Sequence, residues 1–222
     1  MKSVVAGLVL ICAAGCSSDS KSDSSPKELE VFPPQLFSGF DGMHTYKAPA
    51  IAVNKSGAVT WTIADASIAS LAPADDGEHV TITSLKAGET TITATSGAQK
   101  STVPLKVYSY TTQQWDAGHT RYTTAADANN PECIACHSKN AGPDHTPTEV
   151  DADPDTEIQN TFLTGVDPEG RPIKDNSEFA YLLQGKNHTW KVTDAEKSGL
   201  VAYMRSLEPS GWPEYDAPTA GK

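Results

Sequence analysis

The residues with the clearest chemistry are Cys133, Cys136 and His137, which form a Cys-x-x-Cys-His run in the middle of the chain. Two thiols one helical turn apart are placed to add to the two vinyl groups of a porphyrin. The adjoining imidazole is then placed to bind the iron. The run therefore predicts one covalent haem c, with His137 as the proximal iron ligand.

A Cys-x-x-Cys pair also occurs in zinc sites, in thioredoxin-like redox sites and as a plain disulfide. The chain has no second cysteine pair near the first, so zinc would have to use scattered histidines such as His145 and His188. A thioredoxin-like site would need a βαβ context, whereas the residues around Cys133 have the pattern of helix and loop. A disulfide between Cys133 and Cys136 stays open as the main alternative.

The start of the chain has the pattern of an export signal, with Lys2 followed by an apolar stretch over residues 4–14. This stretch is too short to form a permanent membrane span, so we exclude residues 1–15 from the fold. The pattern resembles a bacterial lipoprotein signal. The resemblance implies cleavage before Cys16 and lipid attachment to it, which anchors the chain without spanning the membrane.

By the same resemblance, Ser17 after the cysteine favours the outer membrane of the bacterial envelope. Ala13 stands where leucine is commonest, so an ordinary secretory cleavage stays open as an alternative. Residues 16–27 are too polar to bury a core, and we expect them to form a flexible tether. If Cys12 leaves with the signal and Cys16 carries lipid, no thiol is left for a structural disulfide outside the haem motif.

The charge of the chain restricts its partners. There are 17 basic and 28 acidic residues, which give a net charge of −11. This balance makes nucleic acid and anionic lipid poor partners and would attract a redox partner protein with a basic docking face. We therefore expect contact with the membrane through the lipid anchor only.

Residues 28–110 alternate apolar and polar side chains, as half-buried strands do. The alternation is clearest at Leu29 and Val31, at Val59, Trp61 and Ile63, at Val80 and Ile82, and at Val103, Leu105 and Val107. Short strands separated by turn signals predict an all-β sandwich, with Trp61 in its core. His44 and His79 each stand alone in this stretch, and we interpret them as surface or packing histidines.

This first domain resembles the second group of bacterial Ig-like domains, through the runs at residues 59–69 and 85–94. The resemblance implies an Ig-like sandwich over residues 28–110. It also implies a spacer role, with adhesion as an alternative.

Beyond residue 110 the pattern becomes helical, and we predict an all-α domain over residues 111–210 with a tail at 211–222. Trp115, Gly118 and Tyr122 recur at helical spacing on a first helix. His119 on the same helix is expected to face water. A second helix is predicted to begin near Asp153 and to end at Gly165, and a further short helix to span residues 178–184.

Thr193 and Glu196 form a capping box that starts the last helix, and Pro209 is expected to stop it. Leu200, Tyr203, Met204 and Leu207 are predicted to share one face of that helix. The motif at Cys133, the Gly118 and Tyr122 pair and the run 200–207 together resemble the class I monohaem cytochromes c. In that family the glycine lets the first and last helices cross closely.

Asp151, Asp153 and Asp155 alternate along the chain like the first ligands of a calcium loop. The glycine expected at the sixth position is Thr156, and the glutamate expected at the twelfth is Phe162. We therefore interpret the three aspartates as helix-capping and solvated residues.

The second axial ligand of the iron decides much of the function, because thioether ligation raises the potential and an open position admits small molecules. The resemblance places a methionine in the loop before the last helix, but this chain has His188 there. We therefore predict ligation by His137 and His188. Met204, His145 and a vacant position stay open as alternatives for the distal ligand. An alternative role for His145 is contact with a haem propionate.

These observations favour a monohaem carrier of single electrons over an enzyme, since no other catalytic constellation or Gly-rich phosphate loop is present. Two other functions stay open. One is a haem-based sensor or peroxidase-like enzyme with a weak or absent distal ligand. The other is an adhesive or assembly subunit that acts through the Ig-like domain.

Overall fold

A computed structural model of the chain describes residues 27–127, 130–137, 142–175 and 188–215. Cys16, most of the expected tether and the helix predicted at residues 178–184 lie outside these ranges. Within them, no helix is long and apolar enough to cross a membrane.

The first half of the described chain consists of eight strands in two sheets. The strands are β1 (Glu30–Phe32), β2 (Leu36–Phe40), β3 (Lys47–Val53), β4 (Val59–Ile63), β5 (Ala69–Pro73), β6 (His79–Ser84), β7 (Gly88–Ser96) and β8 (Gln99–Ser109). One sheet has the order β1-β3-β6-β5 and the other has the order β2-β8-β7-β4. The predicted β-sandwich is thus confirmed.

Alternation along the strands sends one set of side chains into the space between the sheets. Val80 and Ile82 of β6 and Leu105 of β8 are fully buried there. Trp61 is also in this core, as predicted, and its indole Nε1 donates to the carbonyl oxygen of Gly77 at 3.0 Å. The two sheets share one continuous apolar core.

The second half is only partly helical, because loops and single turns separate its helices. Its helices are α1 (Thr112–Thr123), α2 (Pro147–Val150), α3 (Asp155–Thr164) and α4 (Asp194–Arg205), with 3-10 turns at Cys133–Ala135 and Ile173–Asp175. The predicted C-cap of α3 is confirmed, since Gly165 is left-handed with φ of 70°. The capping box of Thr193 and Glu196 is also formed. The last helix ends at Arg205, so Leu207 lies outside it, contrary to expectation.

Helices α1 and α4 cross at two glycines. A Cβ added to Gly118 would overlap the carbonyl of Gly199 and stand 2.6 Å from the amide nitrogen of Leu200. A Cβ added to Gly199 would stand 2.7 Å from the amide nitrogen of Gly118. The two backbones touch directly here, as the resemblance implied, and this crossing fixes the position of α4.

The sandwich packs directly on the helical half, chiefly around Arg205 at the end of α4, which is 1% exposed. Its Nε donates to Asp155 Oδ1 at 3.0 Å. Its Nη1 donates to the carbonyl oxygens of Phe37 in β2, at 3.1 Å, and of Val150, at 3.0 Å. Its Nη2 donates to the carbonyl oxygen of Asp153 at 2.6 Å. One guanidinium therefore joins β2, α2, α3 and α4.

Further contacts connect the two halves around this arginine. Tyr110, which follows β8, donates to Asp155 Oδ2 at 2.7 Å. The amide of Phe37 donates to the carbonyl oxygen of Asp151 at 2.7 Å. His44 stacks on Trp115 of α1 with ring centroids 3.8 Å apart. Only Tyr110 and the N-cap Thr111 lie between the last strand and the first helix.

Candidate haem site

A cleft of about 880 Å³ lies in the helical half and reaches the edge of the sandwich. Its apolar lining includes Ile158 and Phe162 of α3 and Leu200 and Met204 of α4. Cys133 and Met204 belong to the buried cluster that packs these helices together. The volume and the apolar walls are those of a pocket for a cofactor-sized ligand.

Cys133, Cys136 and His137 all line this cleft. A tight turn holds them together, with the amides of Cys136 and His137 donating to the carbonyl oxygen of Cys133 at 3.1 Å and 3.0 Å. Both thiols are free, so the pair does not form a disulfide in this structure. Burial raises the pKa of the Cys133 thiol to about 11. Catalytic thiols of thioredoxin-like sites have lowered pKa values, so this alternative is disfavoured.

The imidazole of His137 is held in one orientation. Its Nδ1 lies 2.9 Å from the carbonyl oxygen of Pro143. Because a carbonyl oxygen only accepts, Nδ1 carries the hydrogen and Nε2 keeps a free lone pair. Burial lowers the pKa of His137, which also favours the neutral imidazole that metals bind. His137 is therefore prepared as a metal ligand, and a backbone carbonyl fixes its tautomer.

His145 lies next to His137 and not across the cleft from it. The two rings are stacked, with centroids 3.5 Å apart and planes at 19°. His145 is wholly buried, burial lowers its pKa well below the ordinary value, and its Nδ1 has no hydrogen-bond partner among the described residues. The stacking places His145 directly beside the predicted proximal ligand. A distal ligand must bind the iron from the opposite side, so this position is unfavourable for one.

His188 also lines the cleft, with its ring centroid 6.1 Å from that of His137 and the planes at 76°. Burial lowers its pKa to about 4, so the ring is neutral at pH 7. Its Nδ1 is buried without a partner among the described groups. The loop that carries His188 is hydrogen-bonded to α3, because the amide of Trp190 donates to the carbonyl oxygen of Phe162 at 2.9 Å. A Cβ on Gly165 would stand 2.8 Å from the carbonyl oxygen of His188.

Met204 lies on the cleft-facing side of α4 and is 4% exposed. It packs in the apolar cluster with Leu200 and Phe162, as predicted for a core residue. Trp190 is half-buried against the same cluster, and its ring centroid is 5.6 Å from that of His188. The predicted exposure of His119 is confirmed.

The interpretation of the three aspartates as helix-capping and solvated residues is wrong for Asp151, which is buried, whereas Asp155 does lie in the first turn of α3. Asp155 binds Arg205 and Tyr110. Asp151 is 1% exposed, lines the cleft, and has no hydrogen-bond partner for either carboxylate oxygen among the described residues. Burial raises the pKa of Asp151 well above its ordinary value and that of Asp153 to about 6. The sequence could not show this burial, because the contact with the sandwich produces it.

The charged residues that line the cleft are mostly acidic. Within the described part of the chain they comprise eight carboxyl-bearing residues and a single cation, Arg171. The sandwich also contributes to the wall, through Phe32 and Pro33. Sequence reasoning missed these two residues and the carbonyl of Pro143, since nothing in the local pattern links them to the haem motif.

The residues of the cleft fit a haem. They provide two free thiols, a neutral imidazole whose tautomer is fixed by a hydrogen bond from Nδ1, apolar walls, and a second imidazole in the lining, that of His188. They do not fit zinc, because the described residues contain no group of three or more His, Cys, Asp or Glu side chains suited to hold a metal ion.

Comparison with known families agrees with this geometry. Residues 116–208 match the family model for cytochrome c, a span that includes the two thiols, His137 and α4. Residues 43–107 match the model for the bacterial Ig-like domain (group 2), in line with the two-sheet sandwich. The cytochrome c family implies a covalently bound haem and supports a haem-binding, electron-carrying role.

Some solved structures are similar to less than two fifths of the chain. The S-layer protein rSbsC is 22% identical over 36% of this chain and 12% of its own length, with a TM-score of 0.31. The M1 domain from titin is 7% identical over 37% of this chain and 95% of its own length, with a TM-score of 0.30. A search of curated proteins found no significant match.

Proposed function

We propose that the chain is a monohaem c-type cytochrome that carries single electrons in the bacterial envelope. The observation that carries the proposal is the fixed imidazole of His137 beside two free thiols in one apolar cleft. A bound haem supplies an iron centre that gains and loses one electron. Cys133 and Cys136 would hold it through two thioether bonds, and His137 would bind the iron through Nε2.

The test uses the full chain produced with a working haem-attachment system. The purified protein should be coloured, should retain its haem under denaturing conditions, and should be reduced reversibly by one electron. Replacing both Cys133 and Cys136 by alanine should abolish covalent attachment. The matched control, Cys12→Ser, should not. Colourless wild-type protein with two free thiols would refute the proposal.

We further propose that His188 is the distal ligand, so that two imidazoles hold the iron. Its support is a neutral, buried ring that lines the cleft, on a loop that is hydrogen-bonded to α3 through Trp190. His188→Ala should convert low-spin haem to high-spin haem and allow the reduced protein to bind carbon monoxide. His119→Ala, on the exposed side of α1, is the matched control.

Retention of low-spin haem in His188→Ala, with no gain in carbon monoxide binding, would contradict this ligand. A near-infrared charge-transfer band in the ferric wild type, lost on Met204→Leu, would assign the position to Met204 instead. Carbon monoxide binding by the wild type would favour the sensor or peroxidase-like alternative, in which the distal position is open.

The acidic lining supports a basic redox partner. Seven carboxyl-bearing residues around the described cleft, not counting the buried Asp151, together with a net charge of −11, would attract cations to the haem. Oxidation of the reduced protein by cationic hexaammineruthenium(III) should slow as ionic strength rises, and oxidation by an anionic iron(III)–EDTA complex should accelerate. Equal salt dependence for both oxidants would rule out steering by these carboxylates.

We also propose export and a lipid anchor on Cys16, on the support of the sequence pattern of residues 1–16. Cys16→Ser should move the protein from the membrane fraction to the soluble envelope fraction and abolish labelling with radioactive palmitate. Cys12→Ser should leave both unchanged. Equal fractionation of the two variants would refute the anchor.

The spacer role of the Ig-like domain stays a prediction. Its contacts support a second role, as a fixed wall of the haem unit. Phe32 and Pro33 line the cleft, and the carbonyl of Phe37 binds Arg205 of α4. A sandwich attached in this way would cover one edge of the bound haem and leave partner docking to the remaining edge.

A further inference from the structure

The chain that follows α4 crosses from the helical half to the sandwich, and we call its residues 206–215 the C-terminal strap. Pro213 is buried, and both Pro213 and Glu214 line the cleft. The strap contacts two regions that are far from it in sequence, namely the sandwich and the loop between the haem motif and α2. It is therefore a part of the cleft wall and not a free extension of the last helix.

The middle of the strap is hydrogen-bonded to that loop and to the first turn of α2. The Ser210 hydroxyl donates to Asp144 Oδ2, and the Ser210 amide donates to Thr146 Oγ1 at 3.2 Å. The Gly211 amide donates to Thr148 Oγ1 at 3.2 Å, and the Thr148 hydroxyl donates to the carbonyl oxygen of Gly211 at 3.1 Å. These bonds fix the position of Asp144 relative to the strap.

The same loop holds the imidazole of His137. The carbonyl oxygen of Pro143 accepts from its Nδ1 at 2.9 Å, and the ring of His145 stacks on it with centroids 3.5 Å apart. Asp144, which the strap binds, lies between these two residues in sequence. Because adjacent residues share rigid peptide planes, a movement of Asp144 displaces Pro143, His145 or both. The hydrogen bond and the orientation of the proximal imidazole therefore depend on the strap.

The end of the strap is held by the sandwich. Trp212 lies against the ring of His79 of β6, with centroids 4.7 Å apart. Tyr215 packs edge-to-face on Phe32 of β1 at 5.6 Å, and its hydroxyl donates to Glu30 Oε2 at 2.9 Å. Trp212 is 37% exposed, so these contacts are only partly shielded from water and can open without unfolding either half.

We propose that the C-terminal strap is a redox-responsive link between the sandwich and the proximal histidine, with Ser210 and Asp144 as positioning residues. The inference rests on the proposed electron-carrier function. A carbonyl oxygen that accepts from Nδ1 makes the imidazole a more basic ligand, which favours ferric over ferrous iron. The bound strap keeps this carbonyl in place and so favours the oxidised protein. By linkage, reduction by one electron from the redox partner favours release of the strap.

The first test measures amide hydrogen exchange in the haem-loaded full chain. The amides of Ser210 and Gly211 donate to the loop and to α2 although both residues are exposed, so their exchange reports opening of the strap. Trp212→Ala and Tyr215→Phe each remove a contact with the sandwich. Each should accelerate the exchange of both amides by about fivefold.

The second test measures the midpoint potential and the haem spectrum of the same chain. Ser210→Ala removes the donor to Asp144, and Trp212→Ala loosens the strap from the sandwich. In both variants the ratio of reduced to oxidised haem, at the wild-type midpoint potential, should rise about threefold, less than the effect of losing a direct partner of a metal ligand. In the wild type, exchange of the strap amides should be faster in the reduced than in the oxidised protein by a similar factor. The control Ser70→Ala makes the same chemical change at an exposed position of β5 and should alter neither measurement.

Unchanged exchange of the strap amides in both Trp212→Ala and Tyr215→Phe would overturn the inference, because the sandwich would then not hold the strap. Faster exchange with a wild-type potential and spectrum would also overturn it, because the strap would then not reach the proximal ligand. If Trp212→Ala does not load haem, Tyr215→Phe supplies the same comparison and keeps its ring against Phe32. Wild-type protein that is not reduced reversibly by one electron would instead refute the electron-carrier function, so the two failures can be distinguished.

Discussion

Replacing Gly118 by alanine tests the glycine crossing that fixes α4 against α1. In an unobstructed helix this change stabilises by about 0.5–1 kcal/mol, because glycine loses more backbone entropy on folding. Here the new methyl group would overlap the carbonyl of Gly199 and stand 2.6 Å from the amide nitrogen of Leu200, whereas ordinary contact begins at 3.4 Å. Both obstacles are backbone atoms, which cannot turn away as a side chain can. Relief therefore requires the helices to move apart by roughly 1.5 Å.

Overpacking of this kind costs about 1–3 kcal/mol when side chains can adjust, and the upper end applies where only backbone can move. After the helical gain is subtracted, we expect Gly118→Ala to lose about 2 kcal/mol of unfolding free energy. For a chain of this size, this corresponds to a fall of about 4–8 °C in Tm. The movement also displaces Leu200 and Met204, which line the cleft, so the haem spectrum should broaden or shift.

The assay is thermal and urea unfolding of the haem-loaded chain, followed by circular dichroism and by the haem absorbance. Gly211→Ala is the matched control, because a Cβ there meets nothing within 4 Å. It should leave Tm and spectrum unchanged. If Gly118→Ala were as stable as the wild type, the close crossing of α1 and α4 would be wrong. The argument that this contact positions the cleft would then fail as well.

Three further predictions concern stability. Arg205→Ala should lower the unfolding free energy by about 3 kcal/mol in urea titrations, because Asp155 and several buried carbonyls lose their donor. Arg171→Ala, at an exposed ion pair, should have little effect. Thr193→Ala should cost about 1 kcal/mol by thermal unfolding, since it removes the N-cap of α4. Burial raises the pKa of Asp153 from 3.8 to about 6, so the folded state holds this proton more tightly than the unfolded state does. The contribution of the protonated Asp153 to stability is therefore fully present below pH 3.8 and is lost as the pH rises through 6. Asp153→Asn should remove this loss and flatten the pH dependence of Tm in that range.

The local features of this fold could be predicted where the signal lies within one element. Trp61 in the sandwich core follows from alternation along β4, and the start of α4 follows from a capping box only four residues long. The turn that brings Cys133, Cys136 and His137 together follows from a motif of five residues. In each case the residues that create the structure are neighbours in sequence, so their pattern is sufficient.

The remaining features depend on contacts that are distant in sequence. The carbonyl of Phe37 and the guanidinium of Arg205 are 168 residues apart along the chain, and no periodicity relates them. Asp151 has the composition of an exposed turn, and only the docking of β2 against its backbone shows that it is buried. His145 resembles an ordinary loop histidine until the fold stacks it on His137.

The burial of the carboxyl groups that line the cleft would also affect the iron of a bound haem. A negative charge in a cleft of low dielectric stabilises ferric over ferrous haem, and two imidazole ligands would lower the potential further than one imidazole and a thioether. Keeping Asp151 neutral limits this effect at the deepest acidic position. The potential of the carrier is therefore expected to be low, and to depend on the protonation of the cleft as well as on the identity of the distal ligand.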